Sequence, residues 1–315
     1  MAEFMHIPVL LEETIAALAV KRSGRYIDGT LGRAGHTSRI LELGGEVLGI
    51  DRDQRAIDEV SAKALKGLHI VKGKHGSLKE IANEYGWNEV DGILLDLGVS
   101  SPQLDDAGRG FSFMREGPLD MRMDQSCGIS AAEVVNTYEA SELERIFRDY
   151  GEEREARRIA RAIVKRRAPD SLTSFAPSLS EGRFQTTKEL ADFVESIIGR
   201  HGGHHPATRV FQALRMEVND ELGELKRALE GGLQLLKSGG RFAVITFESI
   251  TDRMVKRFFA AHVGKMISLQ QGGETWQGEE PRVRMVTRKA RVADDEETQA
   301  NPRARSAKLR VIEKE

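Results

Sequence analysis

The chain has 315 residues, 40% hydrophobic and 30% charged, with a formal net charge of −2, a globular composition with room for one large domain or two ordinary ones. No apolar run approaches the ~18 residues that suggest a membrane-spanning helix, and no signal-peptide pattern opens the chain, so a cytoplasmic protein without a membrane partner is expected. The single Cys127 excludes an internal disulfide framework and a multi-cysteine zinc site, while the near-neutral charge requires any nucleic-acid partner to be met by a local basic patch.

From Arg25 to about Asp106, short β-rich runs alternate with helical ones. Tyr26-Ile27-Asp28 enters the turn Gly29-Thr30-Leu31-Gly32-Arg33-Ala34-Gly35-His36. A helical run from Thr37 to Leu43 then closes on Gly44-Gly45. Val47-Leu48-Gly49-Ile50-Asp51 ends in a second carboxylate, and Gln54 to Leu65 reads as a helix closing on Gly67. Ile93-Leu94-Leu95-Asp96 delivers a third acid into the loop Leu97-Gly98-Val99-Ser100-Ser101-Pro102-Gln103. This is the grammar of a parallel α/β sheet, in which ligands sit outside the carboxyl ends of the strands. Three strand ends with acids and one glycine-rich turn describe a nucleotide-like cofactor site.

The glycines stand at 29, 32 and 35, which is not the G-x-G-x-x-G of pyrophosphate binding. Asp28 also puts negative charge where a pyrophosphate would be repelled. It suits an amino acid moiety better: Asp28 attracts the ammonium, and backbone N–H groups near Thr37 receive the carboxylate. Asp51, 22 positions beyond Gly29, has about the ~20-residue offset of an acid that accepts ribose hydroxyls. S-adenosylmethionine carries amino acid and ribose without phosphate. A nicotinamide oxidoreductase is disfavoured on the same grounds, and a non-catalytic RNA-binding module is the remaining rival.

From about Phe113 to Thr208 the β signal fades. Ser130-Ala131-Ala132-Glu133 and Ser141-Glu142-Leu143-Glu144 each read as a capping box opening a helix. A helix from Glu152 to Arg167 would gather Arg154, Arg157, Arg158, Arg161 and Lys165 on one face and Ala156, Ile159, Ala160 and Ile163 on the other. The basic face is a candidate RNA surface, against the commoner reading of a solvated charged face. Ser171 to Thr187 reads as a mobile loop. His201-Gly202-Gly203-His204-His205 is rejected as a metal site because nothing completes a tetrahedral ligand set. Val210 to Leu236 reads as helical, Lys237 to Gly240 as a turn, and Arg241 to Phe247 as a returning buried strand. Arg209 and Arg215, with Arg303, Arg305, Lys308 and Arg310, add cationic candidates, and Ala307, Leu309 and Val311 alternate as in a last strand. The domain reading is a first sheet part at 1–110, an inserted helical domain at 111–208 and a second sheet part at 209–315.

Taken together, these segments resemble the bacterial small-subunit ribosomal RNA cytosine-N4 methyltransferases of the MraW type. The resemblance runs through His6-Ile7-Pro8-Val9-Leu10-Leu11, the Asp28 to His36 turn, Asp91 to Asp105, Arg109-Gly110-Phe111-Ser112-Phe113 and Gly117 to Asp124. It continues through Tyr150-Gly151-Glu152-Glu153, His205-Pro206-Ala207-Thr208-Arg209, Phe211 to Arg215 and Asn301 to Ser306, and so spans nearly the whole chain. It implies a class I S-adenosylmethionine-dependent methyltransferase sheet interrupted by a helical substrate domain. The implied substrate is the N4 amine of a cytidine in 16S ribosomal RNA of the small subunit, with another nucleic-acid base as the alternative. It also implies cofactor contacts at Ala34, Gly35, His36, Asp51, Asp96 and Gln103, with His75 facing the adenine. His75 stands where relatives often carry Phe or Tyr, Ala34 where glycine is usual, and Glu248 where relatives usually have His. The loop Ser100-Ser101-Pro102-Gln103 loosely resembles the Ser-Pro-Pro-Tyr loop of amino-methylating DNA enzymes. Asp96, Ser101 and Pro102 are therefore the candidate catalytic residues, the acceptors being the Asp96 carboxylate or carbonyls along Leu97 to Pro102. No metal is called for.

Overall fold

The computed structural model describes residues 8–167, 182–200, 203, 205–269 and 273–315. The loop read at Ser171 to Thr187 falls mostly outside the described residues, as do most of the histidines from His201 to His205 and the start of the His6-Ile7 element. In chain order, α1 (Leu11–Leu18) leads to β1 (Arg25–Asp28), α2 (Gly35–Glu42), β2 (Glu46–Asp51), α3 (Gln54–Ser61), β3 (Leu68–Lys72), α4 (Leu78–Glu84) and β4 (Val90–Asp96). Among the described residues, six helices follow: α5 (Ser101–Asp105), α6 (Ala131–Thr137), α7 (Ala140–Asp149), α8 (Ala156–Arg167), α9 (Thr187–Ile198) and α10 (Thr208–Val218). After α11 (Glu221–Leu235) come β5 (Leu236–Thr246), α12 (Ser249–Val263), a hairpin of β6 (Lys265–Ser268) and β7 (Glu274–Gln277), β8 (Val283–Met285), α13 (Asp295–Ala300) and β9 (Lys308–Lys314).

The chain forms two compact units, residues 1–98 with 222–315, and residues 99–221. The first holds a seven-stranded sheet in the order β3-β2-β1-β4-β5-β9-β8. β1 to β5 pair in parallel, while β9 runs antiparallel to β5 and β8 antiparallel to β9. Strand direction and alternation explain the two faces, because successive side chains of a strand point to opposite sides. Ile27, Leu48, Ile93, Leu95, Phe242 and Val244 pack with Leu78, Leu229, Leu233 and Phe259 on one face. Tyr26, Val47, Leu94, Ala243 and Ile245 pack with Ile15, Leu18 and Ile40 on the other. The strands are therefore covered on both sides, which is why their sequences read as unbroken apolar runs.

The second unit is helical, with a core of its own around Val134, Leu143, Ile146, Phe147, Ile159, Ile163, Leu190 and Leu214. Its limits, 99 and 221, lie outside the 111–208 read from the sequence. The reason is packing: Val99, Leu104 and the α10 residues Val210, Phe211 and Leu214 join this helical core, although Val99 and Leu104 belong to a motif that begins on a strand.

Several local readings need correction. The capping box expected at Ser141 sits two residues earlier, where Glu139 and Glu142 cap α7 reciprocally. The box at Ser130 forms as read. The helical stretch read over Val210 to Leu236 forms as two helices, broken where Asp220 takes a left-handed φ of 48°. Residues 237 to 240 form a bulge within β5, opposite the register shift between Val90 and Gly92, because Gly239 at φ 74° lets the strand kink and resume pairing. The basic helix starts at Ala156, which leaves Arg154 ahead of it.

Candidate active site at the strand ends

The order of strands reverses between β1 and β4, since the chain moves outward from β1 through β2 to β3 and then returns to β4 on the other side of β1. Such a switch point leaves a crevice at the carboxyl ends of the two neighbouring strands. Asp28 ends β1 in register with Leu94, and the Gly29 N–H donates to the Leu94 carbonyl at 2.9 Å. Asp28 and Asp96 are thus brought to adjacent strand ends by the pairing itself, and Asp51 to the next one.

A glycine is required after Asp28, because a Cβ at Gly29 would stand 2.5 Å from Leu95 Cδ2 and 3.3 Å from His75 Cβ. The turn then folds over the acids. The Asp28 carboxylate, 2% exposed, accepts from Thr37 Oγ1 at 2.7 Å and from the Thr30 N–H at 3.1 Å. Burial pushes its carboxyl up to about 6, against the lowering effect of those hydrogen bonds. Asp51 accepts from the Gly32 N–H at 2.8 Å and the Asp53 N–H at 2.9 Å. Desolvation again pushes its carboxyl up from its ordinary value, against the lowering effect of those hydrogen bonds. Asp51 therefore ties down the glycine turn, a role its strand-end position did not reveal.

Asp96 closes the set. Its N–H donates to Thr30 Oγ1 at 2.6 Å, so one threonine joins the ends of β1 and β4. Burial and then the nearby Asp28 charge push its carboxyl up to about 7, although its side chain keeps 27% exposure and water relieves part of that desolvation. His36 lies alongside: its Nε2 is 3.1 Å from the Val9 carbonyl and its Nδ1 is 3.9 Å from Asp96 Oδ2. A carbonyl only accepts, so Nε2 carries the hydrogen and Nδ1 faces the carboxyl.

Ala34 at the start of α2 has a left-handed φ of 62° and no side chain caps the helix. Its first-turn N–H groups suit an anion. His75 sits in the loop after β3, 9% exposed, with its Nε2 buried and without a hydrogen-bond partner. Burial, reinforced by Arg52 and Arg227, drives the ring down to about 3 and holds it neutral. S-adenosylmethionine fits this donor set: carboxylates for an ammonium and a ribose, an open helix start for a carboxylate, and an orphaned ring nitrogen for a purine.

The loop beyond β4 is more constrained than its sequence suggests. Ser100 and Gln103 form a capping box, with the Ser100 N–H donating to Gln103 Oε1 at 3.0 Å. Ser101 and Pro102 open α5. The Ser100 and Pro102 carbonyls already accept from the Leu104 and Asp106 N–H groups. As expected, Arg157, Arg158, Arg161 and Lys165 are exposed on α8, while Ala156, Ile159, Ala160 and Ile163 are buried. Arg158 lies 3.8 Å from Glu155. Arg154 and Arg209 are exposed, and Arg209 donates to the Glu152 carbonyl at 3.2 Å. In the sheet unit, Arg303 and Arg305 are exposed. Three of the additional cationic candidates are structural. Arg215 is buried in a two-pronged bond to Glu221 at 2.7 and 2.9 Å, and Arg310 and Lys308 are held by Asp252 at 2.7 and 3.4 Å. Sequence reasoning also missed Thr30, whose hydroxyl bridge depends on a neighbouring strand.

The mixed sheet, its helical insertion and this acid-lined switch point define an α/β methyltransferase of the S-adenosylmethionine-dependent class. The sequence matches the MraW methylase family over residues 3–315, and the chain belongs to that family. It is 45% identical to Ribosomal RNA small subunit methyltransferase H of Carboxydothermus hydrogenoformans, over 99% of this chain and 98% of that one. It is 46% identical to the protein of the same name from Geobacter sp. strain M21, over the full length of both. Among solved structures, an rRNA methylase from Streptococcus thermophilus aligns over 98% of both chains at a TM-score of 0.41 and 10% identity, a level from which no functional reading follows. Among the described residues no helix is long and apolar enough to cross a membrane.

Proposed function

We propose that this protein methylates the N4 amine of a cytidine in 16S ribosomal RNA, with S-adenosylmethionine as methyl donor and the assembled small subunit as substrate. The observation that carries the reading is the convergence of Asp28, Asp51 and Asp96 on one switch point, in a chain whose relatives are named for small-subunit ribosomal RNA methylation.

When bound, S-adenosylmethionine supplies an electrophilic sulfonium methyl. Asp28 holds the ammonium, Asp51 receives ribose hydroxyls on its remaining lone pairs, and the start of α2 takes the carboxylate. Cytosine N4 is a poor nucleophile because its lone pair is delocalised into the ring. Asp96 and the carbonyls of Leu97 and Gly98 accept its N–H groups, reduce that delocalisation and align the amine. Alignment of this kind can contribute ~7–11 kcal/mol to lowering a barrier. A carboxyl near neutrality is suited to take a proton as the bond forms, and His36 Nδ1 stands beside it. The exposed stripe on α8 supplies phosphate contacts.

The test is mass spectrometry of nucleosides from small subunits of a strain lacking the protein. Loss of N4-methylcytidine is expected. A lost methyl on adenine N6 or cytosine C5 would redirect the assignment to another base.

A further inference from the structure

The cations along the outer strands of the sheet divide by position. At the end of the sheet away from the acids, Arg282 pairs with Glu315 at 2.8 Å and Arg284 with Glu313 at 2.6 Å. Past β8 the chain runs to the opposite end, where Arg288, Lys289 and Arg291 are exposed and have no ion-pair partner among the described residues. The acids that follow are engaged otherwise. Asp294 caps α13 by accepting the Glu297 N–H at 2.8 Å, Glu297 accepts the Leu10 N–H at 2.7 Å, and Asp295 and Glu296 lie in the favourable first turn of that helix.

The three cations sit on an arch tied to β9 at both ends. The Val286 and Thr287 N–H groups donate to the Val311 carbonyl at 2.9 and 3.2 Å, and the buried Thr287 hydroxyl accepts from the Val311 N–H at 2.9 Å. At the other end Arg291 and Leu309 exchange two N–H···O bonds of 2.9 Å. A short segment held this way is preorganised, so little ordering entropy opposes its binding to a partner. Strand register fixes where the arch lies: Asp96 is opposite Ile245, Ile245 opposite Leu309, and Leu309 opposite Arg291. Arg291 therefore stands level with Asp96, three strand spacings away, or about 14 Å at ~4.8 Å each. About four nucleotides of stacked strand, at ~3.4 Å each, cover that distance.

Building on the ribosomal RNA reading, we propose that Arg288, Lys289 and Arg291 form a second RNA-binding surface, on the sheet unit itself, which grips backbone phosphates a few nucleotides from the target cytidine. Exposed cations are commonly only solvated surface; these are set apart by a tied arch in register with the reacting carboxyl. Guanidinium forks match phosphate oxygens. Phosphate contacts carry no sequence information but fix the register of the strand, and here that register brings one base to Asp96.

The test uses the full chain and small subunits from a strain lacking it. Subunit binding is measured from low to high salt for the wild type, for Arg288→Gln/Lys289→Gln/Arg291→Gln and for Arg288→Lys/Arg291→Lys, with S-adenosylmethionine calorimetry and a melting curve for each. The Gln variant should lower the salt slope by about 2, from three contacts at ~0.7 each, and leave cofactor affinity and melting unchanged. The Lys variant keeps the charge and should keep the wild-type slope. Location is read by hydroxyl radicals from iron tethered through Lys289→Cys, with the exposed Cys127 replaced by Ser. Strand scission should fall within a few nucleotides of the methylated cytidine. The proposal is overturned if the Gln variant keeps the wild-type slope, or if both variants lose it equally. Scission elsewhere in the RNA, or none, also overturns it, the latter assigning the arch to a protein of the subunit. A wild-type protein that neither binds nor methylates the subunits would instead overturn the ribosomal RNA reading on which the proposal rests.

Discussion

Asp28 is expected to lower the stability of the cofactor-free protein, and replacing it by Asn should reveal by how much. In the unfolded chain an aspartate ionises near the ordinary value of ~3.9, whereas in the folded protein Asp28 keeps its proton to about 6. Between those values the unfolded state loses its proton first, so stability falls as pH rises from about 4 to 6 and is level above that. Two pH units at ~1.4 kcal/mol each give a ceiling of about 3 kcal/mol. Asn keeps an oxygen for the Thr30 N–H and turns an amine toward Thr37, whose hydroxyl then accepts, so at most about 1 kcal/mol of hydrogen bonding is lost. Asp28→Asn should therefore be about 1–3 kcal/mol more stable than wild type at pH 8 and no more stable than it at pH 3, while binding S-adenosylmethionine more weakly. Urea denaturation of both proteins across this range measures the difference. Equal stability at pH 8, or parallel pH profiles, would refute the claim that the folded protein holds this carboxyl in an unfavourable ionised state until a cation arrives.

Other expectations follow from the same geometry. Asp51→Ala removes ribose acceptors and also releases the Gly32 N–H, so calorimetry should show a loss of ~1.5–3 kcal/mol in S-adenosylmethionine binding; an unchanged dissociation constant would place the ribose elsewhere. Changing Arg157, Arg158 and Arg161 together to Gln keeps helix propensity and should flatten the salt dependence of small-subunit binding while cofactor affinity holds. Retention of both affinity and salt slope would mark the stripe as solvated surface. Asp96→Asn should lower kcat and kcat/KM together with little change in KM, the pattern of an interaction made in the transition state. Full-rate turnover would shift the amine acceptor to the Leu97 and Gly98 carbonyls.

The sequence was informative where local pattern and burial agree. Apolar runs ending in Asp28, Asp51 and Asp96 announced both the buried parallel strands and the edge at which their acids gather, and the apolar face of α8 appeared at its helical spacing. It was less informative where the outcome depends on a distant partner. Thr30 becomes a bridge only when β4 is paired beside β1. Arg215, Lys308 and Arg310 looked like free cations until Glu221 and Asp252 were brought against them. The extent of the inserted unit was misjudged for a similar reason: Val99 and Leu104 continue a strand motif in sequence but join the helical core in space.

The central claim is methyl transfer to a cytosine amine from a site built at the β1/β4 switch point. The most direct measurement is a single-turnover reaction of the purified protein, with labelled S-adenosylmethionine and small subunits from a strain lacking it, followed by nucleoside analysis of the 16S ribosomal RNA. The account predicts one labelled nucleoside, N4-methylcytidine, formed by the wild-type protein and far more slowly by Asp96→Asn. Label on any other base, or no transfer by a protein that binds both cofactor and subunit, would contradict it.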